Sequence, residues 1–144
     1  GISMDIISGF CTETEEDHKD TLSLMEAVKY DFGYMFSYSE RPNTQAQRKL
    51  NDDVSKETKK RRLQEIIDLQ MKHSFINNKQ QVGKSHKVLI EGVSKKSKQE
   101  LFGRNSQNTV IVFPRENYKA GDYVLVDVED CTSATLMGKA VKLL

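Results

Sequence analysis

Apolar and polar residues alternate through much of the second half of the chain, as they do in β-strands with one buried face. Val124, Val126 and Val128 share one side of such a strand, and Val88 and Ile90 share one side of another. Further short apolar runs lie near residues 101–104, 110–113 and 135–143. Five short strands at a spacing of roughly 10–12 residues predict a small antiparallel barrel of the oligonucleotide-binding type.

The first half switches between strand-like and helix-like patterns. Residues 2–7 form a strand-like run that leads into Gly9, and Thr14 precedes Asp17 by three residues, a variant of the capping box that begins a helix. Helical spacing continues to about Lys29, and an aromatic-rich strand follows over residues 32–38. The short connections predict that the two strands pair in parallel.

A loop at Arg41-Pro42 ends that second strand, and the polar residues 45–54 indicate irregular structure. Ser55 can cap a long helix over residues 56–75. We expect the basic run Lys59–Arg62 of this helix to be a solvated face. A polar linker over residues 77–82 indicates a domain boundary near Gln80. The predicted fold class is therefore α+β, with a partial βαβα unit in residues 1–80 and the barrel in residues 81–144.

Composition indicates a folded domain, since 37% of the residues are hydrophobic and 30% are charged. No apolar run reaches the roughly 18 residues of a membrane span. Residues 1–80 contain 12 basic and 14 acidic residues, whereas residues 81–144 contain 10 basic and 7 acidic residues. The second half is therefore the better candidate for binding nucleic acid.

The positive charge of the second half is concentrated after the strand that contains Val88, which we expect to end at Gly92. Lys95, Lys96 and Lys98 lie within one predicted loop, and Arg104 follows in the next strand. Because the two segments adjoin, we expect the four cations to converge on one RNA backbone. The alternative is an ordinary solvated loop.

Cysteine and histidine residues are few and scattered. Cys11 and Cys131 have no metal-binding or redox spacing, which favours a reduced, cytoplasmic protein. His18, His73 and His86 are isolated, so we interpret them as surface or filling residues and predict no metal site.

Several segments resemble a known family. Five segments in residues 82–143 are similar to the TRAM domain, a small RNA-binding barrel found in tRNA-modifying enzymes. These segments are VLIEGVSKKS, LFGRNSQN, VIVF, AGDYVLVDV and TLMGKAV. Segments of the first half resemble the last two βα units of the radical SAM barrel of methylthiotransferases, and they are MDIISGFCTETEEDHKDTL, YSERPNT and DDVSKETKKRRLQEIIDLQ.

This resemblance implies an activity. Arg41-Pro42 is more similar to the tRNA branch of the family, which adds a methylthio group to C2 of an isopentenylated adenosine beside the tRNA anticodon. S-adenosyl-L-methionine and two 4Fe–4S clusters are the implied cofactors. The family's cluster cysteines do not occur here, so we expect this chain to contain no catalytic residue, to bind no cofactor by itself and to be inactive alone.

The resemblance also implies site residues at the cofactor or substrate end of the radical SAM barrel. Asp5 would contact S-adenosyl-L-methionine or substrate, Ile7 would contact adenine, and Arg41 would bind a phosphate or carboxylate. Two positions depart from the pattern. Cys11-Thr12 replaces the usual Pro-Gly, which suggests another turn shape, and Asn43 replaces a glycine, which asparagine tolerates well.

Three readings remain open: part of a tRNA methylthiotransferase, part of a ribosomal-protein methylthiotransferase, and a non-enzymatic RNA-binding module. The abrupt start at Gly1, without a methionine, favours a piece of a longer protein. If so, strand edges that other barrel strands normally cover would lie open, and we expect self-association through them.

Overall fold

The computed structural model describes all 144 residues, which divide into two units, residues 2–73 and residues 74–144. The elements are β1 (Ser3–Ser8), α1 (Glu15–Val28), β2 (Phe32–Ser37), α2 (Gln45–Lys49), α3 (Lys56–Lys79), β3 (Ser85–Val93), β4 (Glu100–Arg104), β5 (Val110–Pro114), β6 (Tyr123–Cys131) and β7 (Leu136–Leu143). None of the helices has the length and apolarity needed to cross a lipid bilayer.

In the first unit, β1 and β2 form the predicted parallel pair, with Ile7 opposite Phe36. One face of this two-stranded sheet packs on the helices through a core that contains Met4, Met25 and Ile66. The other face is open, and Ile7, Tyr34 and Phe36 are each about 60% exposed on it. The sheet therefore leaves an exposed apolar surface of the kind that often marks a contact with another element or molecule.

Helix α1 begins as the sequence predicts. The Thr14 hydroxyl accepts a hydrogen bond from the Asp17 amide at 3.1 Å, and the Asp17 carboxylate accepts one from the Thr14 amide at 2.8 Å. This reciprocal pair satisfies two amides that a helix start would otherwise leave without partners. The helix ends at Lys29, which adopts a left-handed conformation.

The connection between β2 and α3 is more ordered than predicted. Residues 45–54 were expected to be irregular, but α2 forms one turn there, and its Thr44 cap accepts a hydrogen bond from the Gln47 amide at 3.3 Å. Helix α3 also continues to Lys79, one turn past its predicted end. Both differences arise because helix ends depend on caps and packing that a polar stretch does not reveal.

The basic run of α3 is only in part the solvated face that we predicted. Lys60 is exposed, but the guanidinium of Arg62 is buried and donates to Glu13 at 2.8 Å and to Glu15 at 3.2 Å. Arg61 donates to Glu15 at 2.6 Å, and Lys59 is buried against Asp52. Arg61 and Arg62 therefore form an ion-pair network that joins α3 to the start of α1, and Lys59 joins α3 to the segment before it.

Two histidines extend the ion pairing of the first unit. His18 is buried, and its Nε2 lies 2.7 Å from a Glu65 carboxylate oxygen. His73 is also buried, with Nε2 at 3.1 Å from Glu26. The expectation of surface or filling residues is wrong for these two, because each occupies a specific carboxylate contact.

The second unit is a closed five-stranded barrel with the strand order β3-β4-β5-β7-β6. Four of its strand pairs are antiparallel, but β5 and β7 pair in parallel, so the barrel is mixed rather than wholly antiparallel. Strand β3 passes through a bulge near Gly92 and continues to Val93 instead of ending at the glycine. The interior is apolar, and its fully buried side chains include Val88, Ile90, Leu101, Ile111, Phe113, Val124, Val126 and Leu136.

Thr12 and Asn43, which stand where the family has glycine, both adopt a left-handed backbone conformation. Thr12 has φ of 68° and Asn43 has φ of 66°, a region that glycine favours. Asn43 is a residue type that tolerates this region, but a β-branched threonine is not. Asp53 holds the Thr12 turn by accepting a hydrogen bond from its amide at 2.7 Å. The turn thus retains a conformation suited to glycine.

We predict that Thr12→Gly stabilises the chain. Relief of the left-handed conformation stabilises the folded chain by about 1–2 kcal/mol. The greater freedom of glycine in the unfolded chain destabilises the fold by about 0.4–1 kcal/mol. A net gain of about 1 kcal/mol in the free energy of unfolding should appear in urea titrations. Thr12→Ala keeps a Cβ atom and should gain much less, and equal stabilisation by both variants would contradict this account.

Acid should weaken the ion-pair network. Hydrogen bonding from Arg61, with a smaller contribution from Arg62, lowers the pKa of Glu15 from 4.5 to about 2. Because the folded pKa lies below the unfolded one, the stabilisation is complete above about pH 4.5 and is lost as the pH falls toward 2. We predict that Glu15→Gln lowers the urea midpoint at pH 7 and that its difference from the parent chain shrinks in acid.

Glu16→Gln is the matched control, since Glu16 lies in the same helical turn, is exposed and has no ion pair. It should follow the parent chain at every pH. A Glu15→Gln difference that stays constant from neutral to acidic pH would refute the assignment.

Candidate nucleic-acid interface

The side chains of strand β4 alternate between the inside and the outside of the barrel. Leu101 and Gly103 point inward and are buried, whereas Glu100, Phe102 and Arg104 alternate with them on the outside. Gly103 has no room for a side chain because the Leu89 carbonyl oxygen occupies the place of a Cβ atom. This close packing holds β4 against β3 and fixes the outward position of Phe102.

An apolar row crosses the outside of the barrel on three neighbouring strands. Phe102 of β4 is opposite Val112 of β5, and Val112 is opposite Met137 of β7. Neighbouring strands lie about 4.8 Å apart, so the row spans roughly 10 Å from Phe102 to Met137. Gly92 is opposite Phe102 at one end and leaves the ring uncovered on that side.

This row forms the floor of an open groove with a volume of about 590 Å³. Its walls come from the β3–β4 loop, the β6–β7 turn and the outer residues of β4, β5 and β7, among them Ser94, Lys95, Lys96, Glu100, Val110, Pro114, Glu129, Asp130, Thr132, Thr135 and Gly138. In oligonucleotide-binding barrels, the corresponding strands and loops contact the ligand.

The lysine loop, residues 94–99, borders one side of the groove. Its start is fixed by a hydrogen bond from the Ser94 amide to the Glu100 carbonyl at 2.8 Å. Lys95 and Lys96 line the groove, while Lys98 lies on the same loop outside the lining. All three side chains are exposed, and none forms an ion pair. Their charges are available to phosphate groups.

Arg104 is at the other end of β4 from the lysine loop. Its Nε lies 3.1 Å from a Glu91 carboxylate oxygen, and its Nη1 donates to the Asn108 carbonyl at 3.1 Å. Three residues of strand lie between it and Glu100, so the two Cα atoms are roughly 13 Å apart. The four cations therefore do not meet at one point, and Phe102 lies between the lysines and Arg104.

Three carboxylates also border the groove. Glu100 lies at the start of β4, and Glu129 and Asp130 lie near the end of β6. Asp130 is opposite Met137, so its side chain stands at the end of the apolar row away from Gly92. The flank at the lysine loop thus carries Lys95, Lys96 and one carboxylate, Glu100, whereas the flank at the end of β6 carries carboxylates only.

Comparison with known proteins agrees with this geometry. Residues 79–141 match the sequence profile of the TRAM domain. The residues that fold as the barrel are therefore similar to the TRAM domain. The groove described above lies on the outer surface of this barrel.

The whole chain is similar to longer proteins called tRNA-2-methylthio-N(6)-dimethylallyladenosine synthase. It is 64% identical to that of Christiangramia forsetii and 63% identical to that of Flavobacterium johnsoniae, over 99% of this chain in both cases. It is 52% identical to that of Bacteroides fragilis over 98% of this chain. The chain spans only about 30% of the length of these relatives. The predicted resemblance to methylthiotransferases is confirmed.

The predicted cofactor-end residues lie in the first unit. Asp5 and Ile7 are both on the open face of the β1–β2 sheet, where Asp5 is opposite Tyr34. Arg41 is exposed in the loop after β2, and no hydrogen bond or ion pair joins it to Asp5. The structure thus brings Asp5 and Ile7 onto one surface, and their roles stay predictions.

The side chains of this chain do not fit an iron–sulfur cluster. Cys11 and Cys131 are free, buried and in different units. No group of three histidine, cysteine, aspartate or glutamate side chains converges anywhere in the structure. Clusters are held by several thiolates, so any cluster ligands would have to come from elsewhere.

Sequence reasoning found the loop lysines but missed the groove beside them. Phe102, Val112 and Met137 become neighbours only through strand register, which alternation within one strand does not reveal. One signal was available for Phe102, because it is the aromatic residue at an outward position between inward-facing Leu101 and Gly103.

Proposed function

We propose that this chain is part of a cytoplasmic tRNA methylthiotransferase, which adds a methylthio group to C2 of an N6-isopentenylated adenosine beside the tRNA anticodon. In this proposal the TRAM barrel binds the tRNA. The observation that carries the proposal is the lysine loop beside an apolar groove, on a barrel that matches the TRAM profile. The names of relatives that match nearly the whole chain support the reaction and the substrate.

The chemistry of the groove suits single-stranded or irregular RNA. Lysine ammonium groups neutralise phosphates and release counterions, which makes binding dependent on salt. Aromatic and apolar outer residues provide surfaces on which bases stack, with little regard to sequence. The barrel would therefore contribute affinity, and the choice of adenosine would be made by the rest of the enzyme.

The proposal includes cofactors that the chain does not hold by itself. The parent enzyme would use S-adenosyl-L-methionine and two 4Fe–4S clusters, with the cluster ligands outside this chain. We propose that Asp5, Ile7 and Arg41 face S-adenosyl-L-methionine or the substrate, which their exposed positions permit. S-adenosyl-L-methionine would supply the transferred methyl group and the radical.

Two alternatives make different predictions for cells that lack the parent protein. Loss of the 2-methylthio group from tRNA nucleosides, measured by mass spectrometry and restored by the parent gene, supports the proposal. Intact tRNA with a changed mass of a ribosomal protein indicates the ribosomal-protein enzyme. Intact tRNA and intact ribosomal proteins indicate a non-enzymatic RNA-binding module.

The lysine loop should carry the salt-dependent part of tRNA binding. We predict that replacing Lys95, Lys96 and Lys98 with alanine lowers affinity for all tRNAs alike, because phosphate contacts carry no sequence information. The slope of log affinity against log salt should become shallower by roughly 2, at about 0.7 for each lost contact. Fluorescence anisotropy across a salt series measures both quantities.

A triple variant at Lys84, Lys119 and Lys142 removes the same charge from barrel positions that do not line the groove. It should keep most of the slope. Equal losses in both triple variants would show that only the net charge matters and that the loop is an ordinary solvated turn.

We further propose that the chain self-associates through the β1–β2 sheet, whose edges and apolar face lie open. We predict a concentration-dependent mass by light scattering. Replacing Tyr34 and Phe36 with lysine should return the mass to that of the monomer, because charges on that face oppose pairing. Val141→Lys adds charge at an exposed barrel position and should leave association unchanged; a parent chain that stays monomeric at high concentration would contradict the proposal.

A further inference from the structure

The two flanks of the groove on the barrel differ in charge, and this asymmetry restricts what can occupy it. Lys95 and Lys96 stand on the β3–β4 loop, with the single carboxylate of Glu100 at its end, while Glu129 and Asp130 stand without a cation near the end of β6. The apolar row that begins at Phe102 lies between them. A phosphate is favoured at the basic flank and repelled at the acidic one.

A β-bulge places both carboxylates on the outside. The register of β6 against β7 shifts between Val128 and Asp130, so Glu129 and Asp130 are successive exposed residues in a strand that otherwise alternates. One oxygen of Asp130 accepts the Cys131 amide at 2.8 Å, which leaves the second oxygen available. Glu129 makes no hydrogen bond or ion pair.

These features together describe a site for a flat group that is apolar on its faces and donates hydrogen bonds from one edge. An unpaired nucleobase has such a shape, and the amino groups of cytosine and adenine are hydrogen-bond donors that carboxylates accept. Uracil presents a carbonyl oxygen where cytosine has its amino group. A paired base cannot enter, because its edge and both faces are already occupied within the duplex.

We propose that the groove binds an unpaired RNA base that carries an exocyclic amino group, stacked on Phe102 with the amino group donating to Glu129 or Asp130. The neighbouring phosphate lies on the Lys95 and Lys96 side. This inference rests on the proposed RNA-binding function and adds a preference among bases. Charge complementarity fixes the orientation, because the reverse placement would bring phosphate against two carboxylates.

The test compares oligocytidylate with oligouridylate of equal length, which differ at this edge in the amino group and the adjoining ring nitrogen. We expect the 144-residue chain to bind oligocytidylate more tightly, by on the order of tenfold or more, the effect of one hydrogen bond to a charged acceptor. Fluorescence anisotropy at one fixed salt concentration measures both affinities. An RNA duplex of equal length should compete poorly.

Variants separate the base edge from the stacking face. Glu129→Gln together with Asp130→Asn should reduce the preference for cytosine, because the amide oxygens are weaker acceptors than the carboxylates, and should raise the affinity for oligouridylate, because a repulsive charge is gone. Phe102→Leu should weaken both oligonucleotides by roughly tenfold and leave the salt slope unchanged. Glu116→Gln with Asp20→Asn removes the same charge from exposed positions outside the groove and should keep the preference.

The outcomes distinguish this inference from the proposed function. Equal binding of both oligonucleotides, with a loss still seen in the loop-lysine variant, would overturn the base preference and leave RNA binding intact. A cytosine preference of undiminished size in the Glu129→Gln, Asp130→Asn variant would also overturn it. Absence of all RNA binding by the parent chain would overturn the proposed function as well.

Discussion

The barrel depends on a short parallel pairing between β5 and β7, in which Ile111 is opposite Leu136 and Val112 is opposite Met137. The first pair lies inside and is fully buried, while the second pair lies outside and forms groove floor. The same register therefore sets both the core and the surface. A slip of one residue would move the inner pair to the surface and the outer pair into the core. A change of register would therefore disrupt the core and the groove floor together.

The first unit depends on a different interaction, the burial of the Arg62 guanidinium among carboxylates. Its two-stranded sheet offers only one face to the helices, and the core behind that face is small. Directional charge contacts between α3 and the start of α1 therefore supplement an apolar core that is limited in size. Removing both Glu13 and Glu15 would leave the buried charge of Arg62 uncompensated, which costs more than the pairs themselves contribute.

Local patterns in the sequence were enough to predict the strands of the barrel and the start of α1. Val124, Val126 and Val128 alternate clearly, and Thr14 with Asp17 is a local capping signal. Contacts between distant segments were not predictable in this way. The burial of Arg62 requires knowing that α3 crosses the start of α1.

The groove escaped prediction for the same reason. The lysine loop is visible as a cluster in the sequence, but the apolar row beside it is assembled from three strands. Arg104 was grouped with the lysines because it is close in sequence, although the length of β4 separates them. Strand length and register, which act over the whole barrel, decide which residues share a surface.

The pairing of the α3 cations also affects how an RNA would approach. Arg61 and Arg62 lie within 3.2 Å of carboxylate oxygens, so the opposite charges of each pair largely cancel at a distance. Screening by salt, with a Debye length of about 8 Å, weakens the remaining dipole further. The unpaired lysines of the β3–β4 loop act as a monopole whose field extends further. The loop lysines therefore attract a polyanion at longer range than the paired Arg61 and Arg62 do.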